Sequence, residues 1–190
     1  MNELNYGIFT GIVIRKDKNA SNQDIQRPVV DVEIMCVNKD GDMLFKEVPM
    51  LFSGSVLSKT VTGLNIGDIV TVMGEIRSDN VGIYIDVESF SRHTKNERGA
   101  NLTRAKSELL QLPQRFNIAN IIGIVKNSKE FAIVRKNFSR GDLKKEDNIP
   151  IYIKEPIADG YAICYGELGV GEDGDICLFA NNMLEIKSEE

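Results

Sequence analysis

Tryptophan is absent from this 190-residue chain, histidine occurs once and cysteine three times. Each scarcity removes a class of function. A lone histidine, His93, placed in a polar segment, gives too little material for a histidine-based metal site or a serine–histidine catalytic pair; it reads as a solvated linker residue. Cys36, Cys164 and Cys177 are odd in number, lie in apolar strand-like stretches and show no Cys-x-x-Cys spacing. They read as buried free thiols, not as metal ligands. No segment approaches the apolar length of a membrane span. Met1-Asn2-Glu3-Leu4 lacks the basic-then-apolar order of a secretion signal, so the expectation is a soluble, cytoplasmic protein.

A net charge of -5 would ordinarily argue against nucleic acid. The distribution says otherwise. Between residues 92 and 145 there are 13 Lys and Arg against 4 Asp and Glu, a local excess of +9, which leaves -14 for the remainder. A basic segment in an acidic chain is the footprint of a polyanionic partner.

The clearest local pattern lies in residues 66–90. Val70, Val72 and Ile76, then Ile83, Ile85 and Val87, alternate on either side of the turn-forming Ser78-Asp79-Asn80, which predicts a hairpin. Gly74 interrupts the first apolar row, as a strand does where it bends sharply or admits another backbone. Upstream, 5–16, 29–38 and 43–52 read as strands. Pro49, which cannot donate to a ladder, places the third at an edge or a bulge. Ser55 can cap a short helix that carries Val56, Leu57 and Val61 and ends at Gly63. Strand, strand, strand, helix, strand, strand is the order of a five-stranded Greek-key barrel with its helix between strands three and four.

From Phe116 the pattern begins again. Asn5 to Gly11 followed by Ile12-Val13 recurs as Asn117 to Gly123 followed by Ile124-Val125. Val48-Pro49-Met50-Leu51 recurs as Ile149-Pro150-Ile151-Tyr152, and Gly74-Glu75-Ile76 as Gly166-Glu167-Leu168. Pro49 to Gly74 is 25 residues, but Pro150 to Gly166 is only 16, which removes the space for the helix. The expected fold is therefore mainly β: two tandem barrels, 1–91 and a reduced 116–190, joined by a basic linker at 92–115. Within that linker Asn101 can cap a helix over 102–112, with Arg104 and Glu108 paired at i,i+4 and Pro113 as its stop. It should pack on its own barrel; a partner-binding helix and a swapped contact in a homo-oligomer are the other options.

The run Val48-Pro49-Met50-Leu51-Phe52-Ser53-Gly54, a helix, and then Leu64-Asn65-Ile66-Gly67-Asp68-Ile69-Val70-Thr71-Val72-Met73-Gly74-Glu75-Ile76 resembles the OB-fold single-stranded DNA-binding proteins of bacteria and their phages. The opening Asn5 and Gly11 are similar to that family's first strand. The resemblance covers the first half, with an echo in the second, and implies OB-fold barrels with single-stranded DNA as partner; two linked barrels suggest an assembly different from the family's common four-chain arrangement, and with no catalytic constellation in the sequence neither a cofactor nor catalysis is expected. It points to replication or recombination, in a phage or mobile element. The chain departs from the family in lacking tryptophans for base stacking. It also ends Lys187-Ser188-Glu189-Glu190 without an acidic tail closing in Pro-Phe, so recruitment of partners through such a tail is not expected.

Binding an unpaired strand takes cations for phosphates and flat rings for exposed bases. Lys136, Phe138, Arg140, Lys144 and Lys145, with Arg135 just upstream, form the best local match. In the first half the resemblance marks Phe45 and Phe52 for stacking. They are seven apart, so both face a ligand only if Pro49 marks a bulge. Arg15, Lys16, Lys46 and Arg77 are candidate phosphate contacts, and Tyr84, alternating outward from Ile83 and Ile85, is a candidate stacking ring. Glu75 and Asp86 alternate outward as solvated barrel wall, with no metal motif or Gly-rich phosphate loop beside them. Two alternatives stay open: a scaffold bridging a replication helicase or primase, and an RNA-binding OB protein.

Overall fold

The structure is a computed structural model that describes residues 4–17, 21–22, 25–26, 29–52, 61–79, 82–94, 101–127, 129–135 and 145–186. In chain order these form β1 (Leu4–Asp17), β2 (Ser21–Asn22), β3 (Ile25–Gln26), β4 (Val29–Asn38), β5 (Met43–Phe52), β6 (Ile69–Asp79) and β7 (Gly82–Thr94). Helix α1 (Leu102–Gln111) follows, then β8 (Asn117–Lys126), β9 (Glu130–Arg135), β10 (Lys145–Tyr152), β11 (Gly160–Val170) and β12 (Ile176–Glu185).

β1 is long enough to serve three neighbours in turn. Residues 4–9 pair antiparallel with β8, 7–12 with β6 and 11–17 with β4. β4 pairs antiparallel with β5, β5 runs parallel to β7, and β7 returns antiparallel to β6. β8 is shared in the same way among β1, β9 and β11, while β10 pairs with β9 and runs parallel to β12. A short parallel contact, Gly169 opposite Val37 and Val170 opposite Asn38, completes a ring of ten strands. Two further pairings, β1–β4 and β11–β8, cross the ring. They divide it into the circuits β1-β4-β5-β7-β6 and β8-β9-β10-β12-β11, with the same sequence of antiparallel and parallel contacts in each. β2 and β3 form a separate two-stranded ribbon.

Alternation sets what is inside. Val30, Val32, Ile34 and Cys36 of β4 are 0–1% exposed and join Val48, Met50 and Phe52 of β5 in an apolar cluster that continues through Val72 to Ile121 and Leu168. A second, smaller cluster lies outside the strands: Ala105 and Leu109 of α1 cover Ile12 and Ile69. Asn101 caps the helix as its sequence predicts, its side-chain oxygen accepting from the Thr103 N–H.

The repeated residues do repeated work. A Cβ on Gly74 would lie 2.2 Å from the Asp86 carbonyl oxygen, and one on Gly166 would lie 2.0 Å from that of Phe179. Each sits at a break in register with the following strand, so each lets that strand cross at close quarters. The Asn5 amide accepts from the Ile76 N–H at 3.1 Å and donates to the same residue's carbonyl. Asn117 does this with Leu168, at 2.8 Å in both directions. The two asparagines thus tie the first strand of each circuit to the residue two beyond its crossing glycine.

Several expectations are corrected. Pro49 lies opposite Asp31 in an unbroken register with β4, and β5 has a neighbour on each side, so it is neither an edge nor a bulge. The pairing with β7 begins only at Met50, and Pro150 likewise precedes the first residue of β10 paired with β12. β7 runs to Thr94, past the expected linker start. His93 is therefore a strand residue, its Nε2 2.7 Å from Thr71 Oγ1, which is in turn 2.8 Å from Thr10 Oγ1. The expected helix after Ser55 falls mainly in 53–60, outside the described residues; Val61 and Leu64 beyond it are 5% and 1% exposed.

Two outcomes follow from the crossings. Gly74→Ala and Gly166→Ala should each destabilise by about 1–3 kcal/mol, because the added carbon meets backbone and not a yielding side chain. Thermal melts should show drops of roughly 2–10 °C. Asn117→Ala, which strands a buried N–H and carbonyl, should cost about 1–3 kcal/mol in denaturant titrations, and Asn5→Ala a similar amount.

Candidate nucleic-acid interface

The first-half candidates are largely engaged within the chain. Arg15 follows a bulge in β1 and is 59% exposed, but its Nε lies 2.5 Å from Asp31 and its Nη2 2.9 Å from Glu47. Lys16 donates to the carbonyls of Thr62 and Leu64, closing the approach to β6. Arg77 is 15% exposed and paired with Glu75 and, at 3.1 Å, with Asp147, whose side chain is fully buried. That pair joins the two circuits, as does the Ser78 hydroxyl donating to the Asn148 carbonyl at 2.7 Å. A phosphate would have to displace a buried carboxylate to reach Arg77, so its position argues for structure and against the expected contact.

The aromatic pair separates as its spacing requires. Phe52 is 1% exposed and packs edge-to-face on Phe90, centroids 5.3 Å apart; it is core and not a stacking surface. Without a bulge at Pro49 the strand turns Phe45 to the opposite face, where it is half-buried. The Lys106 ammonium of α1 stands 4.7 Å above its ring and also pairs with Glu33 at 2.8 Å. One face of that ring is therefore taken by the chain's own helix. Lys46 is half-buried, near enough to Cys36 to act on its thiol. Tyr84 sits half-buried on β7 between the inward Ile83 and Ile85, opposite Arg77.

In the second half, Arg135 ends β9 and Lys145 begins β10, and the two lie directly opposite each other in the ladder. The strands thus bring both ends of the cationic segment together. Lys136, Phe138, Arg140 and Lys144 lie between them, outside the described residues. Elsewhere in the basic stretch, Arg92 is held by Asp68 at 3.1 Å and by the Gly63 carbonyl, and Arg104 by Glu108 at 2.7 Å. Arg115 is exposed and lines a cavity of about 320 Å³ with Thr10, Met35, Cys36, Leu109 and Glu167. Arg115, just after Pro113 and between α1 and β8, was not among the sequence candidates.

The three thiols are buried and free. Burial pushes each up from 9.0 to about 12; at Cys36 the nearby Glu167 and Cys177 add to the effect. Among the described residues, no cluster of His, Cys, Asp or Glu is placed to hold a metal ion, and no helix is long and apolar enough to cross a membrane.

No family model matches the sequence, and neither does any curated protein. The fold has solved counterparts among single-stranded DNA-binding proteins. The wild-type protein of that name from Thermus aquaticus is similar with a TM-score of 0.60 at 10% identity, over 100% of this chain and 96% of that one. A deletion mutant of the same protein gives 0.58 at 11% identity, over 100% and 97%. A small single-stranded DNA-binding protein from Streptomyces coelicolor matches 49% of this chain and 94% of its own, at 17% identity and a TM-score of 0.36. At the first two values the likeness is one of fold; the third carries no argument.

Thiol chemistry checks the burial. At pH 8 an aromatic disulfide reagent should leave all three cysteines unmodified in the native protein and titrate all three after denaturation. Since the folded pKa values lie above 9.0, the unfolded chain ionises first. Stability should be full below pH 9 and fall as pH climbs toward 12, as melts across that range would show.

Proposed function

We propose that this chain binds single-stranded DNA with little sequence preference and catalyses nothing. In this reading each five-strand circuit is an OB-type barrel, the first within 1–91 and the shortened second within 116–190, joined by 92–115. One observation supports it above the others: a strand order of one, two, three, five, four, back to one, met twice in a chain that matches a Thermus aquaticus single-stranded DNA-binding protein from end to end. Oligonucleotides approach such barrels on the face of strands two and three. In the second half those strands are β9 and β10, whose ends bring Arg135 and Lys145 together.

The division of labour is unequal. The second half carries the ligand, with Lys136, Arg140, Lys144 and Lys145 on phosphates and Phe138 on a base. Tyr84, on β7 opposite Arg77, is a further candidate stacking ring. Resemblance alone suggests replication or recombination in a phage or mobile element, in the cytoplasm. A second reading is favoured by the engagement of Arg15, Lys16, Phe45 and Arg77 within the chain: the first barrel no longer meets a strand and serves as a scaffold for a helicase or primase.

Fluorescently labelled oligo-dT should bind at low salt, with log K falling linearly in log salt as counterions are released. Phe138→Ala combined with Arg140→Ala should weaken binding roughly 10- to 100-fold, the scale of one lost stacked base and one lost phosphate contact. Binding that is absent at low salt, or indifferent to salt, overturns the proposal. Matched RNA oligomers competing as well as DNA would redirect it to RNA.

A further inference from the structure

Three aspartates are buried among the described residues, Asp31, Asp68 and Asp147. Two of them meet cations of their own circuit, Asp31 with Arg15 and Asp68 with Arg92. Asp147, whose side chain is 0% exposed, instead meets Arg77 of the other circuit, Nη1 to Oδ2 at 3.1 Å. Glu75 holds the same guanidinium from its own strand. One residue further on, the Ser78 hydroxyl donates to the Asn148 carbonyl. β6 and β10 are not ladder neighbours, so side chains make this contact, at consecutive positions on both strands.

The contact falls where the second circuit is thinnest. β8 pairs with β9 only as far as Ala132, and β12 pairs with β10 only at Ile151 and Tyr152. From Ile133 to Arg135 and from Lys145 to Asp147 the ladder is therefore two strands wide among the described residues. A two-stranded arm is marginally stable alone and frays from its open end. Asp147 stands opposite Ile133 at the base of this arm, and the rung of Arg135 with Lys145 closes it two positions further out. What reaches the base is the β6–β7 hairpin beyond Gly74, where Arg77 lies opposite Tyr84 and Ser78 opposite Ile83.

We propose that Arg77 is a positioning residue for single-strand binding: paired with Asp147, it braces the β9–β10 arm whose last rung carries Arg135 and Lys145. This rests on the reading that the second circuit carries the ligand. Arg77 itself touches no phosphate, since its side chain is 15% exposed and enclosed by Glu75 and Asp147. The first circuit thus contributes to affinity without a contact of its own, because an arm already ordered loses less freedom when a strand binds. Asp147 separates this role from a direct one. It is a negative charge two rungs from the cations, so by electrostatics alone its removal should strengthen binding to a polyanion. Bracing requires the opposite, because a carboxamide in its place gives up the charge-assisted bond to Arg77.

Oligo-dT titrations of the full chain over a salt series, with hydrogen exchange of the free protein, test this. Arg77→Gln and Asp147→Asn should each weaken binding roughly 3- to 30-fold. Each should also flatten the slope of log K against log salt by about 1, the share of one phosphate contact, although Asp147→Asn removes no cation. In both variants the amides of 131–134 and 146–149 should exchange at least about 10-fold faster, and those of β4 and β5 at the unaltered rate. The double variant leaves neither charge buried without the other, so it keeps the test open if a single variant misfolds. It should bind no better than the weaker single. Lys39→Met breaks the bridge to Glu172, a second link between the circuits, and should keep affinity within about 2-fold. Equal or tighter binding by Asp147→Asn overturns the proposal. So does weakening by Lys39→Met to the same degree, or exchange in β9 and β10 that neither variant changes. An unaltered chain that does not bind oligo-dT overturns the underlying reading and this proposal together; variants that bind as the unaltered chain does overturn this proposal alone.

Discussion

The antiparallel contact between β1 and β8 is the interaction on which the rest of the molecule depends. Each of these strands begins paired with the other and then passes on to the partners of its own circuit. Separating them would leave both circuits short of backbone partners along a buried line, a cost far above that of any single side chain. The contact also explains why asparagine stands at the start of each repeat. Asn5 and Asn117 lie where a first strand has one neighbour across the junction and needs its fourth strand held without another ladder bond. Around that line the linkage is reinforced at its ends, by Arg77 on Asp147 and by Lys39 on Glu172 at 3.1 Å.

Features fixed by backbone geometry were legible in the residues. Gly74 and Gly166 announce crossings that a side chain would strain, and the alternation beside Gly74 predicts the β6–β7 hairpin though not the run of β7 to Thr94. Asn101 and Pro113 bracket α1 correctly because caps are local. What was not legible depends on partners far away in the chain. Nothing near Arg77 reveals that a carboxylate 70 residues downstream will be buried against it, and nothing near His93 names Thr71. Phe45 and Phe52 were separable by parity alone; the bulge invoked to reunite them rested on Pro49, whose missing donor falls just before the pairing with β7 begins. The joining of two circuits into one ring left no mark at all, since Gly169 and Val37 meet through backbone atoms.

This difference between local and distant causes shapes the functional reading. Cations on the ordered elements find carboxylates, Arg15 across a ladder, Arg77 across the junction of the circuits and Lys106 from helix to strand. Such pairs set register and hold junctions, and they subtract from the charge a polyanion would feel. Cations gathered at a hairpin end have fewer neighbours to neutralise them. The excess of positive charge in 92–145 is thereby partly spent on the fold, and the backbone pairing of Arg135 with Lys145 brings the ends of its last segment together, which directs attention to the second circuit although the first carries the fuller resemblance.

Photo-crosslinking tests that assignment most directly. An oligo-dT bearing 5-iododeoxyuridine, irradiated with the full chain at low salt and digested for mass spectrometry, should attach predominantly to peptides spanning 135–145. Attachment confined to β5 and β7, or to the outward tyrosines of β11, would contradict the account.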